Sequence, residues 1–537
     1  MKRKLLYLGA LLGLGLASTS VQAQTRYLDE VFNDSEITVT TDVTYGQNFE
    51  VLTGTPTLID LKMDVYEPDQ SVDTQSDRPL VIFVHTGNFL PIVINGGTTG
   101  TKQDSTAVEL CKQWAKRGYV AASIDYRLGW NPLDTSAEGR RAGLLQAVYR
   151  SIIDLKTAVR YFKKDAATTD DYDIDPNSIA VYGEGSGGYT VLAFATLDKF
   201  AEMAIPKFTF AATGESYIDT MLWGNIDGYG GMFNNDNHMG YDADVQLHVN
   251  AGGALADTSW LEGNESPFVS FHAVRDGYAP FDNGIVIVPT TNENVVEVQG
   301  ANLFMAKVRD LGVNSSFANL PFFGDPYTAQ ARSLYGNTYS TWSIVNPTIT
   351  VGNNLEGLYP IVLPLQPAQL LNGGAPWQWW DFATLQMIVA GVNAQTGGSY
   401  DANQIHQGGL ASNPNMSATQ GRTYIDTIQG YLLPRMMIAL DLPGADVFSV
   451  EENAQLENGV KIFPNPVADV FQIELHDLRQ TLTSVSIVNV MGQQVASFDN
   501  LSGKRLEIDA TDYASGMYML NVTFDDGSKI TKRFMVK

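Results

Sequence analysis

Ile179-Ala-Val-Tyr-Gly183-Glu-Gly185-Ser-Gly187-Gly-Tyr-Thr190 begins as an apolar, β-prone run, breaks into glycines, and passes into a helix-like segment from Val191 to Leu197. A strand here feeds a sharp turn into a helix. Four glycines within six positions (183 to 188) mark a place where strand and helix run too close together for a Cβ. The flanking chain repeats the alternation. Leu80 to Val84 is a continuous apolar run, a helix is expected from about Ser105 to Arg117, and Tyr119 to Ile124 reads as a strand. A second helix, from about Gly143 to Lys164, leads back to the glycine turn. Buried strands alternating with helices predict a parallel sheet covered on both faces.

Ahead of this core, residues 36 to 66 alternate polar and apolar, as in Leu61-Lys-Met-Asp-Val-Tyr66, and predict antiparallel edge strands. Beyond it, residues 201 to 262 are rich in Gly, Asn and Asp and are expected to form an insertion rather than sheet. Pro267 to His272 is expected as a strand, Ala301 to Leu311 as a helix and Asn314 to Leu320 as a short strand. Residues 328 to 420 are read as a second irregular insertion. Thr423 to Leu440 closes the domain as a helix that Pro434 should kink or break. After a linker at 443–458, residues 459–537 change to short alternating strands, which predicts an all-β sandwich.

Composition sets the compartment. Lys2, Arg3 and Lys4, the apolar run Leu5 to Ala17, and Val21-Gln22-Ala23 have the form of an export signal over residues 1–23, so the mature domain is expected over 24–442. No later segment reaches the roughly 18 apolar residues of a membrane helix, so no transmembrane helix is expected in the mature chain. The net charge of −25, with acidic residues spread along the chain, argues against nucleic acid and anionic membranes as partners. Cys111 is the only cysteine, so an exported chain folds without an internal disulfide, and its helical surroundings point to a buried structural thiol.

Two resemblances follow. Phe463-Pro-Asn-Pro466, the Met491-Gly-Gln turn, the strand from Gly516 through Tyr518 and the basic terminal strand with Lys532, Arg533 and Lys537 resemble the type A sorting domain of type IX secretion cargo. That resemblance implies a Gram-negative bacterium, handling by the type IX machinery through the C-terminal domain, and release or attachment at the cell surface. Residues 40 to 330 resemble the carboxylesterase and feruloyl-esterase-like branch of the α/β-hydrolases, through Leu61 to Pro68, Arg78 to His85, Gly118 to Arg127, Asp175-Pro-Asn177, the glycine turn and His272-Ala-Val-Arg-Asp276. The fold implied is an α/β-hydrolase sheet with a C-terminal immunoglobulin-like β-sandwich.

In that family the glycine turn is the nucleophile elbow, commonly spelled Gly-Glu-Ser-Ala-Gly-Gly. This chain reads Gly183-Glu-Gly185-Ser186-Gly187-Gly, which puts Gly185 in the nucleophile's slot and the serine one place late. The resemblance puts the triad acid on Asp276. Where the family's histidine is expected, the chain reads Phe323-Gly324-Asp325. His406 is the only histidine between Asp276 and the closing helix, and it is expected in a polar loop. The oxyanion loop, often His-Gly-Gly-Gly, reads His85-Thr86-Gly87-Asn88. Two readings result. In the favoured one the fold is kept as a non-catalytic binding or surface protein, a pseudoenzyme with a small ester or glycan as ligand. In the other it is an active carboxylic ester hydrolase using Ser186, Asp276 and His406, with Gly87, Asn88 and Gly187 as oxyanion donors. Neither calls for a cofactor or a metal.

Weaker signals complete the reading. Asp171-Tyr-Asp173-Ile-Asp175 opens like a calcium loop, but Tyr182 stands where its closing glutamate belongs, so a solvated loop is expected. Asn234 to His238 with Asp242 and Asp244 lacks diagnostic calcium spacing. Trp377-Gln-Trp-Trp380 suits a carbohydrate platform or a packed core equally.

Overall fold

The computed structural model describes residues 26–52, 54–288, 293–317, 326–341, 347–365, 373–443, 459–476, 480–489, 494–525 and 529–537. The export signal, most of the linker and Phe323-Gly324-Asp325 therefore lie outside the described residues.

Eight strands form the main sheet, which is assembled from β1 (Ile37–Glu50), β2 (Thr57–Pro68), β3 (Arg78–Val84), β4 (Val120–Ile124), β5 (Ile174–Glu184), β6 (Leu247–Ala251), β7 (Phe268–Ala273) and a last strand at Leu358–Ile361. Their spatial order is β1-β2-β4-β3-β5-β6-β7 and then the last strand. β1, β2 and β4 pair antiparallel; every other neighbouring pair is parallel. Parallel neighbours need crossovers, and helices α1 (Ser105–Lys116), α2 (Ala137–Thr168) and α3 (Ser186–Thr196) lie in those that lead from β3 to β6.

Strand alternation divides the core between the two faces. Val81, Phe83, Ala180 and Tyr182 pack with Trp114 of α1, while Leu80, Ile82, Ile179 and Val181 pack with Ala158, Val159 and Phe162 of α2. Because β4 lies on one side of β3 and β5 on the other, the chain reverses its winding between β3 and β5. In sheets of this kind the crevice beyond the carboxyl ends at such a reversal is where ligands are held.

Several expectations are corrected. The stretch 201–262 is not purely an insertion, because β6 lies within it, in the sheet, with all five residues buried. The stretch 328–420 contains the last sheet strand and helices at Phe382–Thr396, Ala402–Ser412 and the start of Ala418–Ala439. Asn314 to Leu320 is not a sheet strand: Ser315–Phe317 is a 3₁₀ turn, and 318–320 lie outside the described residues. The strand that follows β7 in the sheet is thus Leu358–Ile361, so the Phe323-Gly324-Asp325 step was placed after the wrong segment. Helix Ala418–Ala439 runs on through Pro434 without a break.

The C-terminal residues form two antiparallel sheets, Val460–Phe463 with Val470–Leu475 and Arg505–Asp509, and Gln494–Phe498 with Leu482–Asn489, Gly516–Phe524 and Lys529–Val536. Phe471, Ile473, Val485, Leu520 and Phe534 fill the space between them. This is the expected sandwich.

Candidate functional site

β5 ends at Glu184 and α3 begins at Ser186, leaving Gly185 alone at the tip with φ 52° and ψ −114°. Left-handed backbone of this kind favours glycine. The tip is tied to the neighbouring strand by the Gly185 N–H, which donates to the Ala251 carbonyl at 2.8 Å. A Cβ placed on Gly185 would lie 2.2 Å from Thr86 Oγ1. Thr86, where a glycine was expected, therefore fills the space that a side chain at the tip would use.

Ser186 is buried at the start of α3. Its Oγ lies 3.1 Å from the Tyr126 hydroxyl, and that hydroxyl donates to the His85 carbonyl at 3.0 Å. A phenol has a single proton, so the Ser186 hydroxyl is the donor to the Tyr126 oxygen. Burial pushes the Tyr126 phenol well above its ordinary range. The neighbouring Arg127 is anchored by Asp154, which accepts its backbone N–H at 2.8 Å and its Nε at 2.9 Å. This buried pair fixes the segment after β4. The His85 ring is buried, stacks on Tyr126 with centroids 4.5 Å apart, and has its protonation pushed down by burial against the opposing pull of Asp125.

Asp276 lies in the turn after β7. Its Oδ1 accepts the N–H groups of Tyr278 and Ala279, at 2.8 Å and 3.1 Å. Its Oδ2 lies 3.6 Å from Nε2 of the buried His272. Across from it, a Cβ on Gly374 would come within 2.0 Å of Asp276 Oδ2. Gly374 belongs to the segment after the last sheet strand, so the residue facing the acid is a glycine.

Gly185, Ser186 and Asp276 meet in one cavity of about 420 Å³, together with Thr86, Gly87 and Asn88. Gly87 and Asn88 take positive φ, 125° and 57°. Their N–H groups have no partner among the described residues, and the first N–H groups of α3 are left free by helix geometry. The cavity therefore presents backbone donors at the elbow. Gly187 does not line it. A Cβ there would lie 2.0 Å from the Val84 carbonyl oxygen, so this glycine allows α3 to pack on β3.

His406 is not brought to Ser186 or Asp276. It lies on helix Ala402–Ser412 rather than in a loop, where Nδ1 accepts Trp380 Nε1 at 3.0 Å and the ring packs on Phe382. The tryptophan cluster is divided among three jobs. Trp377 is fully buried and donates to Glu184 at 2.6 Å, Trp379 packs beneath Arg422, and Trp380 reaches the cavity. Asn234, Asn237 and His238 pin their segment to β1 through Asn48, Gln47 and Tyr45. No group of three metal-ligating side chains is present among the described residues.

Strand order, elbow and crevice together define an α/β-hydrolase fold. Residues 63–230 match the family model described as BD-FAE, which covers feruloyl-esterase-like α/β hydrolases, and residues 461–537 match that of the secretion system C-terminal sorting domain. Among curated proteins, the chain is 31% identical over 90 residues to an endo-acting ulvan lyase of Formosa agariphila, covering 17% of each chain. It is 24% identical over 167 residues to secreted lipase 5 of Gibberella zeae, covering 29% of this chain and 27% of that one. The chain thus spans less than a third of the length of these relatives. Among solved structures it is similar to Thermogutta terrifontis esterase 2 phosphorylated by paraoxon, at 18% identity over 48% of this chain and 77% of that one, TM-score 0.29. The propionate-bound form of that esterase gives 13% identity over 70% and 98%, TM-score 0.33. Residues 63–230 thus match an esterase-like α/β-hydrolase family and residues 461–537 a secretion sorting domain, which marks a secreted or cell-surface protein of a Gram-negative bacterium. Among the described residues no helix is long and apolar enough to cross a membrane.

Proposed function

We propose that the domain keeps the esterase fold and its cavity but works as a non-catalytic ligand-binding protein. The observation that carries this reading is Gly185 at the elbow tip. A serine hydrolase needs a hydroxyl there, a histidine to take its proton and an acid to orient that histidine. The acid position is filled by Asp276. Opposite it stands Gly374, and no histidine lines the cavity among the described residues. The nearest serine, Ser186, donates a hydrogen bond to the Tyr126 oxygen, and that protonated phenol cannot act as a base. The backbone donors at Gly87, Asn88 and the start of α3 remain suited to holding a carbonyl or carboxylate oxygen.

Hydrolysis of p-nitrophenyl acetate and butyrate by the full chain, beside Ser186→Ala, tests this. Both proteins are expected to match the buffer rate. Turnover well above buffer that disappears in Ser186→Ala would establish the hydrolase reading instead.

A further inference from the structure

The walls of the cavity differ. One is the face of α2 that carries Arg141, Leu144, Leu145 and Val148, spaced i, i+3, i+4 and i+7 so that they line up along one side of the helix. The same cavity is lined by Val286, Val296 and Val298 of the hairpin Asn283–Ile287/Asn294–Gln299. This lobe is apolar apart from Arg141.

Arg141 is the only cationic side chain lining the cavity among the described residues. In a chain with 34 basic and 59 acidic residues, it has no ion pair or hydrogen bond there. Its neighbour Arg140 is engaged with Glu293 at 3.1 Å and with the carbonyl of Asp134. The Arg141 Nε is buried without a partner, and so is the hydroxyl of Tyr189, which lines the same cavity. Both are donors. A buried donor left unmatched is costly, and an acceptor supplied by a ligand recovers that cost. Among the described residues the cavity's only lining carboxylate is Asp276, which accepts two backbone N–H groups, is closely approached by Gly374 and makes no ion pair with Arg141.

We propose that this cavity binds a carboxylate with an apolar body, aliphatic or aromatic, with Arg141 as its counter-ion and Tyr189 as a second donor. The inference rests on the non-catalytic reading and names the class of ligand. The apolar body lies against Leu144, Leu145, Val148 and the hairpin valines, where apolar area leaves water.

Trp130 and Trp380 line the cavity, so binding can be followed by tryptophan fluorescence and confirmed by calorimetry. The probes are octanoate and cinnamate, with octanol as the uncharged chain and acetate as the charge without a body. Octanoate or cinnamate is expected to bind at least about tenfold more tightly than octanol and acetate; which of the two is tighter identifies the aliphatic or aromatic source. Arg141→Gln is expected to lose roughly tenfold to a hundredfold in carboxylate affinity, the range for a charge-assisted hydrogen bond. It should leave octanol binding unchanged, which also shows that the variant is folded, and Arg141→Lys should recover part of the loss. Octanoate and cinnamate binding no better than octanol, or unaffected by Arg141→Gln, would overturn the proposal. Ester turnover with carboxylate binding intact would overturn the non-catalytic reading alone.

Discussion

Gly187→Ala is expected to cost about 3 kcal/mol of stability, the upper part of the usual range for overpacking. A Cβ at this position would lie 2.0 Å from the Val84 carbonyl oxygen and 2.8 Å from that of His85. Both obstacles are backbone at the end of β3, so no rotamer change relieves them, and α3 must lift off the sheet. Because α3 starts at the elbow, the same displacement disturbs Gly185, Ser186 and the Tyr126 hydrogen bond. All eight tryptophans precede residue 443, so urea unfolding followed by tryptophan fluorescence reports this domain without the sorting domain. A midpoint unchanged from the parent would show that α3 does not need this close approach.

The second large effect depends on pH. Glu184 is fully buried beside the elbow, and burial pushes its carboxyl up to about 7, against the opposing hydrogen bonds from Gln378 and Trp377. In the unfolded chain a glutamate titrates near 4.3. Between those values the native state holds a proton that the unfolded chain has lost, so stability falls as pH rises through that window. The penalty is absent below about pH 4 and fully present above about pH 7, on the order of 3 kcal/mol. The charged group coupled to it is Asp104, itself pushed up by burial and then by Glu184. Glu184→Gln keeps an acceptor for Trp377 and Gln378 and removes the titration. Its stability is expected to vary less than the parent's between pH 5 and pH 8, and to exceed the parent's at pH 8. Parallel pH profiles for the two proteins would show that Glu184 is ionised throughout.

The elbow was legible in the sequence because every signal agreed locally. Ile179 to Tyr182 had to be a buried strand, and Gly183, Gly185, Gly187 and Gly188 could serve only a tight passage into α3. Two sheet strands were not legible. Leu247-His-Val-Asn-Ala251 and Leu358-Tyr-Pro-Ile361 are five and four residues long, carry a polar residue or a proline, and sit within Gly- and Asn-rich stretches. Neither has the nearly unbroken apolar run that makes the equally short β4 readable, and only pairing with β5 and β7 reveals them. Missing Leu358–Ile361 is what misplaced the histidine step at Asp325. His406 was read as a loop residue because Gly408 and Gly409 hide the helix Ala402–Ser412, which packing against Trp380 and Phe382 supports.

Other features of the site depend on residues far apart in the chain. Thr86 fills the space over Gly185, Gly374 faces Asp276, and Tyr126 takes the Ser186 hydrogen bond. None of these pairs leaves a pattern in sequence. Arg141 could have been singled out as part of an apolar helix face, at the correct spacing from Leu144, Leu145 and Val148. Its lack of a partner is visible only once Arg140 is seen to take Glu293.

The central claim is that no hydroxyl in this cavity is activated as a nucleophile. The most direct measurement is labelling of the full chain with an alkyl fluorophosphonate, read by intact mass, because the reagent reports nucleophile activation whatever the natural ligand is. The account predicts an unmodified mass after prolonged exposure. A stoichiometric adduct mapped to Ser186 or Thr86 would contradict it and make the domain a working hydrolase.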